Sequence, residues 1–182
     1  MKTKSGYYIA GFVDGEGSFN VSVKKRKDYQ GKWKITASFN ISQRDKKIFL
    51  WIQKILGCGT LRARKDGVIY YEVTNINDLN KKIIPFFQNF QFVSENKKKN
   101  FLIFTQIVCM MKQKQHLNRN TLKRILELRE KLNEGHGRKR KYNIHDVMDN
   151  KESPETKRKT LKSHWNADRF LRDDIVRSYR RL

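Results

Sequence analysis

Three features of the sequence predict an α+β fold organised on an antiparallel sheet. An apolar run at helical spacing near the N-terminus gives way at Gly17 to strict alternation of apolar and polar residues. Alternating stretches come in two pairs, each joined by a short polar segment containing glycine, so each pair reads as a hairpin. Stripes with helical period separate and follow the pairs. The resulting order is helix, two strands, helix, two strands, helix, helix.

The first helix carries the most specific stretch of the chain, Tyr8-Ile9-Ala10-Gly11-Phe12-Val13-Asp14-Gly15-Glu16-Gly17-Ser18. Ala10 and Gly11 fall near one another, with Gly15 one turn after Gly11, so one strip of this helix carries almost no side chain. Glycine inside a helix costs about 1 kcal/mol relative to alanine, and a second helix packed closely on the strip is the natural compensation. Glu16 stands at the C-terminal end, where the helix dipole disfavours a carboxylate by about 0.3 kcal/mol or more, so it needs a cation. Gly17 is suited to leave the helix with positive φ. On spacing alone, Asp14 to Gly17 could also be a polar loop after a shorter helix.

Phe19, Val21 and Val23 alternate with Ser18, Asn20, Ser22 and Lys24. After a basic interval from Lys25 to Lys32 that holds Asp28, Tyr29 and Gly31, Trp33, Ile35, Ala37, Phe39 and Ile41 alternate with Lys34, Thr36, Ser38 and Asn40. This predicts a long amphipathic hairpin with one buried and one open face. The open positions are serine, threonine, asparagine and lysine with no acid among them, whereas a merely solvated face more often mixes signs. Ser42 and Asp45 resemble a capping box before a helix with Ile48, Phe49, Ile52, Ile55 and Leu56, ended by Gly57. Leu61 and Ala63 then alternate with Thr60, Arg62 and Arg64. Lys65-Asp66-Gly67 signals a hairpin, and Ile69, Tyr71 and Val73 alternate with Val68, Tyr70, Glu72 and Thr74.

Asn77 can cap a helix carrying Leu79 and Ile83 that Pro85 interrupts, and Phe86, Phe87, Phe90 and Phe92 read as an aromatic core cluster. Ser94 begins a helix with Lys97, Lys98 and Lys99 in its first turns and Phe101, Phe104, Ile107, Val108 and Met111 on its inner side. A further helix runs from Asn118 or Asn120 to Asn133, striped by Leu122, Ile125, Leu128 and Leu132 and stopped at Gly135. Residues 1–135 form the predicted domain, and residues 136–182 a basic, partly ordered extension.

The 182 residues suffice for a proper core. Their formal net charge of +23 and pI of about 10.2 point to nucleic acid, and a ribosomal or general RNA-binding protein would fit the same surplus. The extension, with basic runs at 137–141 and 157–159 and an amphipathic segment from Trp165 to Tyr179, is expected to follow a nucleic-acid backbone or pack on the domain, with disorder in the free protein as the alternative. No apolar run approaches the roughly 20 residues of a spanning helix, so no membrane partner is expected. The N-terminus shows neither a secretory signal nor a transit peptide, which points to the compartment of synthesis. Cys58 and Cys109 have no histidine at metal-ligand spacing and read as reduced thiols, Cys109 as a buried small hydrophobe.

From Ile9 to Gly17 the chain resembles, position by position, the LAGLIDADG motif of a family of homing endonucleases, with Glu16 in place of the usual second aspartate. The element order from about Tyr7 to Lys112 resembles that family's α-β-β-α-β-β-α domain with its saddle-shaped antiparallel sheet. The resemblance implies that the motif helix packs on a second copy of itself and that the second acid of each copy binds a catalytic divalent metal. It assigns Glu16, helped by the Gly15 carbonyl, to a Mg²⁺ site, an ion suited by oxygen ligands with open positions. The family's glutamine and basic residue around the attacking water correspond to Gln43 and Lys47. Its basic residue near the start of the later helix corresponds to Lys97, with Lys98 in reserve. One copy of the motif and no internal repeat imply a homodimer, with Ala10, Gly11, Asp14 and Gly15 at its interface and a near-palindromic target.

Open-face side chains two residues apart on a strand lie about 6.6 Å apart, while base pairs stack about every 3.4 Å, so dense reading of double-stranded DNA needs several strands side by side. The expected contacts are Ser18, Asn20, Ser22, Lys24, Lys34, Thr36, Ser38, Asn40, Arg62, Arg64, Tyr70, Glu72 and Thr74, with Tyr29 at the hairpin tip. Arginine at 62 and 64 suits guanine. The reading is a site-specific, metal-dependent double-strand DNA endonuclease of intron homing. The alternatives are an intron-RNA maturase, which would make intron RNA a partner, and a non-catalytic DNA-binding protein of the same fold. The lysine- and asparagine-rich composition points to an AT-rich organellar genome, a chloroplast ahead of a mitochondrion.

Overall fold

The structure, a computed structural model, describes residues 3–26, 28, 33–134 and 140–149; Tyr29, Gly135 and the segment from Trp165 lie outside them. The elements are α1 (Thr3–Glu16), β1 (Gly17–Lys25), β2 (Trp33–Gln43), α2 (Lys46–Leu56), β3 (Thr60–Ala63) and β4 (Ile69–Val73). A helical run follows, made of α3 (Ile76–Asp78), a π-helical stretch (Leu79–Ile83) and α4 (Ile84–Asn89). Then come α5 (Glu95–Lys112), a 3-10 turn (Gln115–Leu117), α6 (Arg119–Lys131) and α7 (Ile144–Met148). The strands form one antiparallel sheet in the order β1-β2-β4-β3, in which each predicted hairpin is paired and β2 and β4 join the two.

Pairing of β1 with β2 from Gly17 opposite Ile41 to Lys25 opposite Trp33 sends every odd-numbered residue to the helix side. Phe19, Phe39, Ile41 and Tyr71 are fully buried there. Phe19 centres the core: the rings of Phe39, Phe87, Phe92, Phe101 and Phe104 lie within 6.1 Å of its own. The predicted aromatic cluster is therefore core, with Phe87, Phe90 and Phe92 buried. Residues 140–149 pack back on the domain, with Tyr142 edge-on to Trp33 at 4.8 Å and Val147 buried. No helix among the described residues is long and apolar enough to cross a membrane.

Four local expectations change. Gly17 is not in the left-handed region, and the chain passes directly from α1 into β1. Space demands glycine there, because a Cβ would stand 2.5 Å from Val13 Cγ1 and 2.8 Å from Val13 O. Ser42 does not cap α2, since β2 continues through Ser42 opposite Tyr70 and Gln43 opposite Ile69; Asp45 is the cap and accepts from Lys47 N at 2.8 Å. Asn75 rather than Asn77 caps α3, and Pro85 interrupts nothing: Ile84 N bonds to Leu79 O in the π-helical register, and proline occupies the first turn of α4, where no amide hydrogen is needed. Cys109 is exposed, because Phe104, Ile107, Val108 and Met111 take the inward face of α5.

Candidate nucleic-acid interface and active site

The faces of α1 divide its motif residues. Gly6, Ile9, Ala10 and Val13 are buried, the spacing of a core-facing helix stripe. Gly11 and Gly15 are exposed on the opposite side, and a Cβ at either would meet nothing within 4 Å. The bare strip is real, but two of its expected neighbours are not on it. Ala10, 2% exposed, belongs to the chain's own core, and Asp14 turns to the flank where α5 begins. Exposed aromatics border the strip instead: Tyr7 and Tyr8 are more than half exposed, and Tyr8 packs edge-on to Trp51 of α2 at 5.5 Å.

Asp14 and Glu16, two residues apart, leave the helix roughly 160° apart. Asp14 Oδ2 accepts from Val93 N at 3.0 Å and Ser94 N at 2.9 Å, which ties the end of α1 to the start of α5. Ser94 then caps α5 by accepting from Lys97 N. One turn into α5, the half-buried Lys97 donates from Nζ to Gly17 O at 2.5 Å. Burial lowers its pKa, and the negative charges of Asp14 and Glu16 pull against that. Lys97 thus stands beside the end of α1 that carries Glu16, held by the Gly17 carbonyl rather than by the carboxylate. Lys98 is turned away, paired with Glu95 at 2.6 Å.

Gln43 stands at the same end of the sheet as Glu16, two residues beyond Ile41, which pairs with Gly17. Lys47 opens α2, and both side chains are exposed. Neither hydrogen-bonds to Glu16, whose carboxylate meets no donor among the described residues. No three His, Cys, Asp or Glu residues gather into a metal cage among the described residues. One chain offers a hard oxygen donor at Glu16, with exposed Gly15 beside it, and no closed coordination shell.

The open face of the sheet lies beside this helix end. Ser18, Asn40, Glu72 and Thr60 form one row across all four strands, and Ser42, Tyr70 and Arg62 a second. Asn20 opposite Ser38, Ser22 opposite Thr36 and Lys24 opposite Lys34 continue the face along β1 and β2. Thr74 is exposed just past β4. Ser38 is corrected: at 9% exposure, in the middle of the face, this short side chain has little surface to present. Arg62 is paired with Glu72 at 2.7 Å, and Arg64 with Asp66 at 3.2 Å while lying over the Tyr70 ring.

Ser42 and Thr60 also lie on the face, and their parity with Asn40 and Arg62 marks them in the sequence. Arg129, Asn133 and Arg140 stand beside it with no signal in the local pattern. Arg129 Nε donates to Val21 O at 3.0 Å, and Asn133 Nδ2 to Phe19 O at 2.8 Å, so α6 covers the outer edge of β1. Burial lowers the pKa of Arg129, whose guanidinium also reaches Glu130 and Tyr142 O. A hollow of about 600 Å³ beside β1 is lined by Ser18, Asn20 and Ser22 on one wall and by Arg129, Arg140 and Lys141 on the other.

The profile of the LAGLIDADG endonuclease family matches residues 9–108. "Probable intron-encoded endonuclease 2" of Neurospora crassa is 36% identical over 132 residues, 70% of this chain and 29% of that protein. "DNA endonuclease I-CvuI" of Chlorella vulgaris is 38% identical over 86 residues, 44% of this chain and 53% of that one. The chain spans about a quarter to a third of the first curated relatives it matches. Among solved structures, the archaeal intron-encoded homing endonuclease I-Vdi141I complexed with DNA is similar at TM-score 0.73 and 32% identity, over 82% of this chain and 95% of that one. The meganuclease I-SmaMI, on uncleaved DNA in the presence of calcium ions, is similar at TM-score 0.69 and 24% identity over 86% of this chain and 52% of that one, a likeness of fold.

Proposed function

The chain belongs to the LAGLIDADG endonuclease family, and on that footing we propose that it is a site-specific DNA endonuclease of intron homing that cuts both strands of a near-palindromic duplex as a homodimer. The observation that carries the proposal is the placing of Glu16 next to Gly17, whose carbonyl Lys97 holds, at the exposed end of a helix with a bare glycine strip, where the polar rows of the sheet begin. A β-face of this kind fits the major groove. The bare strip and its bordering Tyr8 and Trp51 suit a second copy of the same helix, related by a two-fold axis.

LAGLIDADG endonucleases are metal-dependent, and the hard oxygen of Glu16 fits Mg²⁺ here, with the Gly15 carbonyl beside it. When bound, the ion would relieve charge on the phosphoryl oxygens and make water a better nucleophile. Glu16 of each subunit holds half of the site. Lys97, half-buried and shifted toward its neutral form, holds or moves a proton at Nζ next to the reacting phosphate. Gln43 and Lys47, at the same end of the sheet, orient the attacking water. The relatives named for introns support an organellar intron as the source, and a chloroplast comes first on composition alone.

Incubating the protein with a random duplex library in Mg²⁺ and sequencing the cleaved ends should enrich one site with two-fold related halves. A library cut without preference would end the proposal. Enrichment by binding without cutting would favour a non-catalytic or RNA-splicing protein on the same fold.

A further inference from the structure

We infer that Asn133, which lies outside the sheet, sets the base preference at the start of β1 by fixing the direction of the Asn20 amide. The inference rests on the DNA-reading role proposed above for the open face. Asn133 follows α6 in the left-handed region, at φ 55°, a conformation asparagine tolerates. Its backbone N–H is anchored on Asn100 Oδ1 at 2.8 Å. Its side-chain nitrogen donates to two acceptors, Phe19 O at 2.8 Å and Asn20 Oδ1 at 3.3 Å.

A backbone carbonyl can only accept, so Phe19 O requires the NH₂ end of Asn133 to face β1. The second hydrogen of that NH₂ then requires an oxygen from Asn20. The Asn20 nitrogen is left facing Ser18 Oγ, to which it donates at 3.0 Å. The Ser18 hydroxyl, accepting from Asn20, turns its own hydrogen elsewhere. One carbonyl in the sheet thus fixes the polarity of three side chains. The hydrogens still free to be donated to a ligand over β1 are the second N–H of Asn20 and the O–H of Ser18.

A freely turning asparagine pairs best with adenine, giving a hydrogen to N7 and taking one from N6. Asn20 loses this two-point pairing while Asn133 holds its oxygen to one side and Ser18 its nitrogen to the other. Two adjacent donors match guanine, whose N7 and O6 both accept in the major groove. Because β1 starts at Gly17, directly after Glu16, Ser18 and Asn20 are its open-face positions nearest the carboxylate. The preference falls on the base pair of each half-site that β1 reads closest to the cut.

The test is the cleavage profile of the random library for the wild type, Asn133→Gly and Asn20→Asp. Glycine keeps the left-handed backbone at 133 and removes the relay. The wild type should favour guanine at the innermost pair read by β1. Asn133→Gly should lower the guanine-over-adenine ratio there on the order of 10-fold, leaving the other positions unchanged. Asn20→Asp, which turns the Ser18 hydrogen inward, should move the preference to cytosine, whose N4 donates. An Asn133→Gly protein that cuts more slowly with a profile of unchanged shape has lost only stability, and the inference falls. Adenine at that pair in the wild type also overturns it. A wild type that enriches no site at all counts instead against the endonuclease reading.

Discussion

Glu16 and Lys97 are the two side chains on which the proposed chemistry rests. Glu16→Gln keeps the size of the side chain and removes its charge, so the protein should bind its site in a gel-shift assay and fail to cut it. Cleavage that survived would remove Glu16 from the mechanism. Lys97→Met should lower the single-turnover rate by about 10²-fold or more, whereas Lys98→Met, which breaks only an exposed pair with Glu95, should stay within a few-fold. Lys97 also has a signature in stability. Its folded pKa is lowered, so between that value and about 10.4 the unfolded chain holds more protons than the native one, and stability rises with pH. The melting-temperature advantage of wild type over Lys97→Met should therefore grow as pH is raised toward 10. A gap that stays constant or shrinks would contradict the burial of this ammonium.

At the scale of elements, the junction of α1 with α5 does two jobs, one mechanical and one electrostatic. Asp14 receives the amides of Val93 and Ser94, and Ser94 receives that of Lys97. Asp14→Ala and Ser94→Ala should each cost about 1–2 kcal/mol in denaturant unfolding. Only Asp14→Ala also removes a charge that Lys97 feels, so at matched stability its cleavage should fall further. Equal activities would reduce Asp14 to a cap. Period and turn chemistry made these elements legible: both hairpins, the Ser94 and Asn118 caps and the inward stripe of α5 are as the sequence indicates. The cap at Asp45 and the passage through Pro85 were not legible, because strand pairing with β4 and a π-helical register outweighed local propensity.

For the whole molecule, the proposed dimer gives the glycine strip a role in assembly that it does not have in folding. Gly11→Ala should favour the helix by about 1 kcal/mol, and its methyl meets nothing within the chain. The same methyl would push back a helix packed on the strip, so sedimentation should find the variant folded and less associated than wild type. A variant that dimerises as well as wild type would refute the strip as the interface. The sequence by itself determined the order of elements, the hairpin faces and the motif helix, because period, turn residues and glycine spacing act within a few residues of one another. It named Lys97 ahead of Lys98 by resemblance alone, and it could not bring Lys97 to the Gly17 carbonyl, remove Ala10 and Asp14 from the outer strip of α1, or bring Asn133 to Asn20. Those outcomes depend on how helices rotate and dock over a sheet, and the groups that meet there are as much as 113 residues apart in the chain. Only the packing of the core fixes that rotation.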